Sequence, residues 1–198
     1  MLGPLRSSAS LLPVLELQPL DLMAIDFMGP ISPRGPNGEK YITVIVGYAI
    51  RYCWAFAMTS AKGGPLVERL DTQIFSVWGF LRGVFSDNAT QFKAGDFNRY
   101  MKVKAVKVMH PGPGNPSSVG LAENFVKLIK KGLQARMQDK NVYLHHWPKH
   151  VASVVHNIRT RIPRFLGYSS AQLMLGYNPR WGDDFLELKT QFELHPML

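Results

Sequence analysis

The stretch Val84-Phe85-Ser86-Asp87-Asn88-Ala89-Thr90-Gln91-Phe92 decides how the rest of the sequence is interpreted. Val84 and Phe85 favour an extended strand, and the Ser-Asp-Asn cluster that follows them favours a turn. The pattern therefore predicts a buried strand that ends in an acid. Because a carboxylate at the exposed end of a core strand is a typical metal ligand, we expect other parts of the chain to bring further acids to Asp87.

The composition is that of a folded domain without a membrane span. The chain has 198 residues, of which 46% are hydrophobic, so it is long enough to bury a substantial core. No apolar run approaches the roughly 20 residues needed to cross a bilayer, and we expect no membrane partner. Cys53 is the single cysteine in the sequence, which excludes an intrachain disulfide, and its position in a strand pattern predicts a packed core thiol.

Positive charge is concentrated in the second half of the chain. Residues 88–164 contain 14 lysines and arginines and 3 acids, whereas the rest of the chain contains 9 and 11. A basic half attached to a near-neutral half favours a polyanionic partner. A solvated basic surface without a partner explains the charge equally well, so charge alone leaves both interpretations open.

Hydrophobic periodicity predicts an α/β domain. Apolar runs predict strands over 22–28, 40–46, 51–58, 84–87 and 102–109, and spacings of three and four predict helices over 66–78, 96–101, 119–138, 144–160 and 169–176. The second and third strands are expected to form an antiparallel hairpin, whereas the helix before the fourth strand indicates parallel pairing. The proline- and glycine-rich residues 111–120 predict an exposed loop.

Two further acids lie in elements that can meet Asp87. Asp26 lies in the middle of the first apolar strand, where an ionised carboxylate needs either a metal or the hydrogen bonds of a structural aspartate. Glu123 lies near the start of the helix over 119–138. Three carboxylates converge if the first strand is central and the fourth lies beside it. Such a set suits Mg²⁺ or Mn²⁺, and two such ions can clamp both oxygens of a phosphodiester displacement.

Three motifs and a C-terminal segment occur in a specific order. The first is Asp26-Phe27-Met28-Gly29-Pro30, the second is the stretch from Ser86 to Phe92, and the third runs from Pro116 to Glu123. Thirty-five residues separate Asp87 from Glu123, and Leu166-Gly167-Tyr168-Ser169-Ser170-Ala171-Gln172-Leu173-Met174-Leu175-Gly176 follows Asn157. Together these features resemble the catalytic core of retroviral-type integrases, most of all those of gypsy-type LTR retrotransposons. The resemblance extends from about Leu17 to Arg180.

The resemblance implies a fold and a division of the chain. The fold is RNase H-like: an α/β core at 17–180 with a five-stranded mixed sheet flanked by helices. Residues 1–16 are expected to be a flexible lead-in and residues 181–198 a tail. The family's zinc domain has no counterpart in this sequence, so we expect an isolated core, either a polyprotein fragment, a decayed copy or a co-opted gene.

The resemblance also implies an activity, namely DNA integration by a polynucleotidyl transferase and endonuclease. Such an enzyme carries out 3′-end processing and strand transfer of element DNA into target DNA with two Mg²⁺ (or Mn²⁺) ions per site. Asp26, Asp87 and Glu123 match the three catalytic metal ligands, and the DNA-binding residues are expected to be Asn88, Lys127, Lys130 and Lys131. We expect a homo-oligomer that binds element ends and target DNA in the nucleus, after a cytoplasmic stage.

Departures from the family pattern leave two alternatives open. Ala89 stands where the family usually has glycine, which costs roughly 1 kcal/mol if that position needs a positive φ. None of the departures removes a proposed ligand, and two alternatives to the integrase stay open: a catalytically silent nucleic-acid-binding remnant of a retrotransposon polyprotein, or an RNase H-like nuclease without joining activity. Lys127 and Lys130 are equally compatible with an ordinary helix surface. His146 and His150, four residues apart, have no third ligand in their helix and are expected to be surface histidines.

Overall fold

A computed structural model describes residues 17–86, 95–110, 117–138, 143–163 and 167–179, and leaves the side chains of 117–119 undescribed. The strands in these ranges are β1 (Leu22–Met28), β2 (Tyr41–Gly47), β3 (Cys53–Met58), β4 (Gly83–Ser86) and β5 (Lys107–Met109). The helices are α1 (Gly63–Leu70), α2 (Ser76–Trp78), α3 (Asp96–Val103), α4 (Ser117–Met137), α5 (Trp147–Thr160) and α6 (Ser170–Leu175). A π-helical segment (Asp71–Phe75) joins α1 to α2, and a 3₁₀ turn (Leu144–His146) precedes α5. No helix in the described ranges is long and apolar enough to cross a membrane.

The strands form one mixed sheet with β1 at its centre. The order is β3-β2-β1-β4-β5. The pairs β1–β2 and β2–β3 are antiparallel, whereas β4 runs parallel to both β1 and β5. The helical run from α1 to α2 provides the crossover that returns the chain to the sheet in the same direction. The predicted five-stranded mixed sheet, its antiparallel hairpin and its parallel β4 are confirmed.

Helices cover both faces of the sheet, and β1 contributes side chains to each face in alternation. Met23 and Ile25 lie in a buried cluster with Leu66 and Leu70 of α1 and with Phe97 of α3. Ala24 lies in the opposite cluster, which is built from β2 and the two long helices. The helix residues of that cluster are Ala122, Phe125, Ile129, Leu133, Trp147, Val151, Val154 and Val155. The sheet therefore has an α1/α3 face and an α4/α5 face.

Helices α4 and α5 approach each other closely at a glycine. A Cβ atom built on Gly132 would lie 2.6 Å from Cγ1 of Val154, a buried residue of α5. Two side-chain hydrogen bonds hold α5 to the β1–β2 loop and to β3: Nε1 of Trp147 donates to the carbonyl of Pro33 at 3.0 Å, and Nε of Arg159 donates to the carbonyl of Cys53 at 2.6 Å. These contacts fix the layer that packs on α4.

The C-terminal segment that resembles the family motif is a capped helix. The Ser169 hydroxyl accepts from the backbone N–H of Gln172 at 3.0 Å, and the Gln172 side chain accepts from the backbone N–H of Ser169 at 2.9 Å. This reciprocal capping box begins α6, and Gly176, at φ 81°, ends it. The helix predicted over 169–176 is confirmed, and Ser169 is its N-cap.

Three local predictions were wrong. The strand predicted over 102–109 is restricted to β5, because α3 continues to Val103 after burying Phe97 and Met101. The loop predicted over 111–120 overlaps α4, since Ser117–Gly120 are helical, and 111–116 lie outside the described residues. Leu128, which the apolar spacing of the helix over 119–138 predicts to be buried, is 44% exposed.

Replacement of Gly132 tests the close approach of α4 and α5. Gly132→Ala should lower the free energy of unfolding by about 1–2 kcal/mol, because overpacking against Val154 exceeds the gain of about 1 kcal/mol in helix propensity. Chemical denaturation measures the change. Gly120→Ala in the same helix is the matched control, since no described atom lies within 4 Å of its added Cβ. Equal effects of the two substitutions would contradict the packing described here.

Candidate functional site

Asp26 lies on the face of the sheet that α4 covers. It follows Ile25 in β1 and pairs with Val44 of β2. Strand alternation places it on the same side as Ala24 and Met28, both of which pack into the α4/α5 cluster. Its side chain is half-buried, and its Oδ1 accepts from the backbone N–H of Phe27 at 2.7 Å. A carboxylate at this position is supported by the backbone while still reachable from solvent.

The second predicted acid follows directly on the end of β4. The parallel ladder between β1 and β4 ends with the pair Ile25–Ser86, and each of these residues immediately precedes a predicted ligand in the sequence. Asp87 and Asn88 lie outside the described residues, as does Ala89, so the structure gives no position for them. The structure establishes the register of β1 with β4 up to the residues that precede Asp26 and Asp87 in the sequence.

The third predicted acid lies on α4, which packs against β1. Glu123 follows Ala122, a fully buried residue in the same cluster as Ala24. The Glu123 side chain itself is exposed. The structure thus places Asp26 and Glu123 on two elements in direct contact.

The predicted DNA-binding lysines continue from Glu123 along the exposed side of α4. Lys127, Lys130 and Lys131 are all exposed. Lys127 and Lys130 lie four and seven residues after Glu123, which places them on the same stripe of the helix. The salt bridge between Arg82 and Asp21, at 3.2 Å, involves none of these lysines. We call Lys127, Lys130 and Lys131 the α4 stripe. It offers positive charge to an anionic ligand next to Glu123.

A metal-binding group is not complete within the described residues. In those ranges no set of three or more histidine, cysteine, aspartate or glutamate side chains is arranged to hold a metal ion. The described residues do not include Asp87, which the second motif predicts to be a metal ligand. Two carboxylates, from Asp26 and Glu123, are consequently all that the described part contributes to the predicted triad.

The turn after β1 shows why the first motif ends in Gly-Pro. Gly29 has φ 137°, and a Cβ atom there would lie 2.6 Å from the carbonyl oxygen of Lys40. Only glycine fits this conformation and this contact. The turn then forms one wall of a mainly apolar groove of about 500 Å³, whose opposite wall is the C-terminal half of α4 with Lys130. The groove lies beside the stripe, and its lining is not a metal-ligand set.

Other candidate centres are excluded by their surroundings. Burial raises the pKa of the Cys53 thiol to about 11, so it is a protonated core residue at neutral pH and not a nucleophile. The prediction of a packed core thiol is confirmed. His145 and His146 lie beside the start of α5 with ring centroids 4.1 Å apart. Desolvation, followed by the charges of His145 and Lys149, lowers the pKa of His146. Neither group completes a metal site in the described ranges.

One residue that the motifs did not indicate lies at the end of β4. His110 follows β5 directly and contacts Ser86 at the end of β4. The signal in the sequence was the position of a histidine immediately after a strand. This signal is informative only if β5 is known to pair with β4. The strand predicted over 102–109 was too long to indicate that pairing.

The sheet order, with helices on both faces of the sheet, defines a fold class, the RNase H-like α/β fold. The chain is similar in fold to a chain in the cryo-EM structure of the simian T-cell lymphotropic virus intasome in complex with PP2A regulatory subunit B56 gamma. The TM-score is 0.66 at 16% sequence identity, and the match covers 82% of this chain and 58% of that chain.

The chain is also similar in sequence to several proteins, among them a viral polyprotein and a protein of Caenorhabditis elegans. The Pro-Pol polyprotein of simian foamy virus type 3 (strain LK3) is 22% identical over 185 residues, which are 92% of this chain and 16% of the polyprotein. The uncharacterized protein K02A2.6 of Caenorhabditis elegans is 29% identical over 109 residues, which are 55% of this chain and 8% of that protein. No model of a protein family matches the chain.

These comparisons confirm the predicted resemblance to retroviral-type integrase cores and the RNase H-like fold. They do not distinguish the gypsy type from others, so that finer assignment stays a prediction. The chain spans less than a fifth of the length of either relative. The activities and partners of whole proteins of this kind are therefore matters for proposal.

Proposed function

We propose that this chain is a metal-dependent polynucleotidyl transferase of the DDE integrase type, which processes DNA 3′ ends and joins them to target DNA. One observation carries the proposal. The β1–β4 register aligns Ile25 with Ser86, the residues that precede Asp26 and Asp87, while α4, which carries Glu123, packs against the Ala24 face of β1 through Ala122. Three carboxylates on these elements are the ligand set expected of such an enzyme.

The proposed ligands fit a hard divalent cation. Carboxylate oxygens from Asp26, Asp87 and Glu123 suit Mg²⁺ or Mn²⁺, which prefer oxygen ligands. A bound pair of ions would neutralise the phosphodiester and activate the attacking oxygen. The role of the protein in this scheme is to hold the ligands on rigid elements, because β1 and α4 both pack into the buried α4/α5 cluster.

The α4 stripe would hold the DNA in this scheme. Lys127, Lys130 and Lys131 would bind backbone phosphates next to Glu123, and Asn88 would contact DNA beside the second ligand. Phosphate contacts of this kind fix the position of a duplex without reading its sequence. The expected partners are element ends and target DNA, bound by a homo-oligomer, and an enzyme that joins them acts in the nucleus.

A second function is favoured by a specific observation. The lysines of the α4 stripe are exposed, and their charge is available to a polyanion whether or not a metal is bound. A catalytically silent nucleic-acid-binding module would need only the stripe. A nuclease that hydrolyses without joining would need the same carboxylates as the integrase, with water as the nucleophile. Product analysis distinguishes these three functions.

Neutralising single carboxylates tests the proposed chemistry. Asp26→Asn, Asp87→Asn and Glu123→Gln should each reduce Mg²⁺-dependent strand transfer at least about a hundredfold, because each removes a ligand worth several kcal/mol of transition-state stabilisation. The assay joins a labelled duplex end to plasmid DNA. Glu68→Gln, which removes an exposed carboxylate on α1 at the other face of the sheet, is the matched control and should retain wild-type activity.

The outcomes separate the three functions. Joined products from wild type and from the Glu68 control, lost in the three variants, support the integrase. Nicked products without joining identify the nuclease. Wild-type protein that binds DNA but shows neither product with Mg²⁺ or Mn²⁺ identifies the silent module. Undiminished joining in Asp26→Asn would refute the proposed site.

Replacing lysines on the α4 stripe tests its contact with DNA. Lys127→Ala and Lys130→Ala should each weaken binding to a short duplex and reduce the slope of log affinity against log salt by about 1, because each removes one phosphate contact. Fluorescence anisotropy at several salt concentrations measures both quantities. Lys102→Ala is the control, since this exposed lysine lies on α3 at the other face of the sheet. A control with the same loss of slope would show that only total charge matters.

A further inference from the structure

The strand β3 forms one edge of the sheet, and no strand in the described part of the chain lies on its outer side. A hydrogen bond shows which of its backbone groups face that side. The N–H of Gly47 donates to the carbonyl of Tyr52 at 2.9 Å, so the backbone groups of Tyr52 face β2. Backbone groups alternate in direction along an antiparallel strand, so those of Cys53, Ala55 and Ala57 face away from β2.

The outward-facing groups of β3 have two kinds of surroundings. The carbonyl of Cys53 accepts a hydrogen bond from Nε of Arg159 on α5, which agrees with its outward direction. Ala55 and Ala57 instead line an open groove of about 590 Å³, which we call the β3 groove. Both alanines are half-buried, and their small side chains leave room beside the strand. An extended chain in the β3 groove would meet the N–H and C=O groups of two residues.

Cations lie on both sides of the β3 groove. Arg69 of α1 lines it on the α1/α3 face of the sheet, and Lys149 of α5 lines it on the α4/α5 face; both are exposed. Glu39 also lines the groove, and its carboxylate accepts two hydrogen bonds from Asn37, one from the backbone N–H at 2.9 Å and one from the side-chain amide at 3.0 Å. The two cations favour a ligand that carries carboxylates.

We propose that the β3 groove binds an acidic, extended segment of a partner protein, which adds to the sheet beside β3. Successive side chains of an added strand point to opposite faces of the sheet. Acidic residues at neighbouring positions of the segment would therefore reach Arg69 on one face and Lys149 on the other. This inference is independent of the proposed metal site, because β2 separates β3 from β1 in the sheet.

Charge and backbone chemistry distinguish this partner from two other occupants. A second copy of the chain would bring its own Arg69 and Lys149 to the same edge, where like charges repel. Nucleic acid would attract the cations, but its backbone lacks the alternating N–H and C=O groups that pair with a strand. An acidic peptide satisfies both the cations and the edge of the strand.

A titration followed by nuclear magnetic resonance tests the proposal. The probe is a short peptide in which pairs of threonines alternate with pairs of glutamates, so that glutamates point to both faces. The control peptide has glutamine in place of every glutamate. The acidic peptide should bind saturably at millimolar concentration and shift the amide signals of Ala55 and Ala57. It should also slow hydrogen exchange of these two amides, because both then donate to the peptide. The control peptide should bind at least about threefold more weakly.

Variants of the protein separate the contribution of the backbone from that of the charges. Ala57→Pro removes an outward-facing N–H but none that donates to β2, and it should weaken binding of the acidic peptide about tenfold. Arg69→Glu and Lys149→Glu should each weaken it about 3- to 10-fold. Lys107→Glu, at an exposed lysine on the opposite edge of the sheet, is the matched control and should bind as wild type does.

Each other outcome would overturn the proposal. Absence of saturable binding, or equal affinity for the two peptides, would exclude an acidic partner. Unchanged hydrogen exchange at Ala55 and Ala57 would exclude strand addition, as would unchanged affinity in Ala57→Pro. Self-association that Ala57→Pro abolishes, measured by sedimentation, would assign the groove to a second copy, and shifts of the same amides with duplex DNA would assign it to nucleic acid. If the proline variant does not fold, hydrogen exchange and the two charge reversals decide.

Discussion

The parallel pairing of β1 with β4 is the constraint on which the rest of the site depends. The crossover through α1 and α2 returns the chain beside the central strand and sets the pair Ile25–Ser86 at the end of the ladder. A shift of one residue would turn every side chain of β4 to the other face of the sheet. Buried Val84 on the α1/α3 face resists such a shift, because it would lose its place in that cluster. The register thus sets where β4 ends relative to Asp26.

The site also requires an acid and a row of lysines next to β1. The packing of α4 against this strand meets that requirement. Ala122 allows the helix to lie close to Ala24, because both side chains are small and fully buried. The exposed side of the same helix then carries Glu123 and the lysines of the α4 stripe. The acids would repel DNA without bound cations, whereas the lysines attract it, so metal and DNA binding are expected to support each other.

Most of the fold was predictable from the sequence, because its long elements have strong periodicity. The strands β1 to β3 and the helices α4 and α5 lie within a few residues of their predicted bounds. Short elements were not predictable to that degree. The alternation of lysine and valine after Met101 indicated a long strand, yet α3 continues to Val103, and Ala105 turns the chain with φ 56°. The contact of His110 with Ser86 depends on pairing between β4 and β5, which local sequence does not encode.

The central claim is that Asp26, Asp87 and Glu123 together hold divalent metal. Crystals of the chain soaked in Mn²⁺ provide the most direct measurement, through an anomalous difference map collected near the manganese absorption edge. The account predicts two peaks about 3.5–4 Å apart, each within coordinating distance of these carboxylates. A map without a peak between β1 and α4, or with manganese bound instead beside His145 and His146, would contradict it.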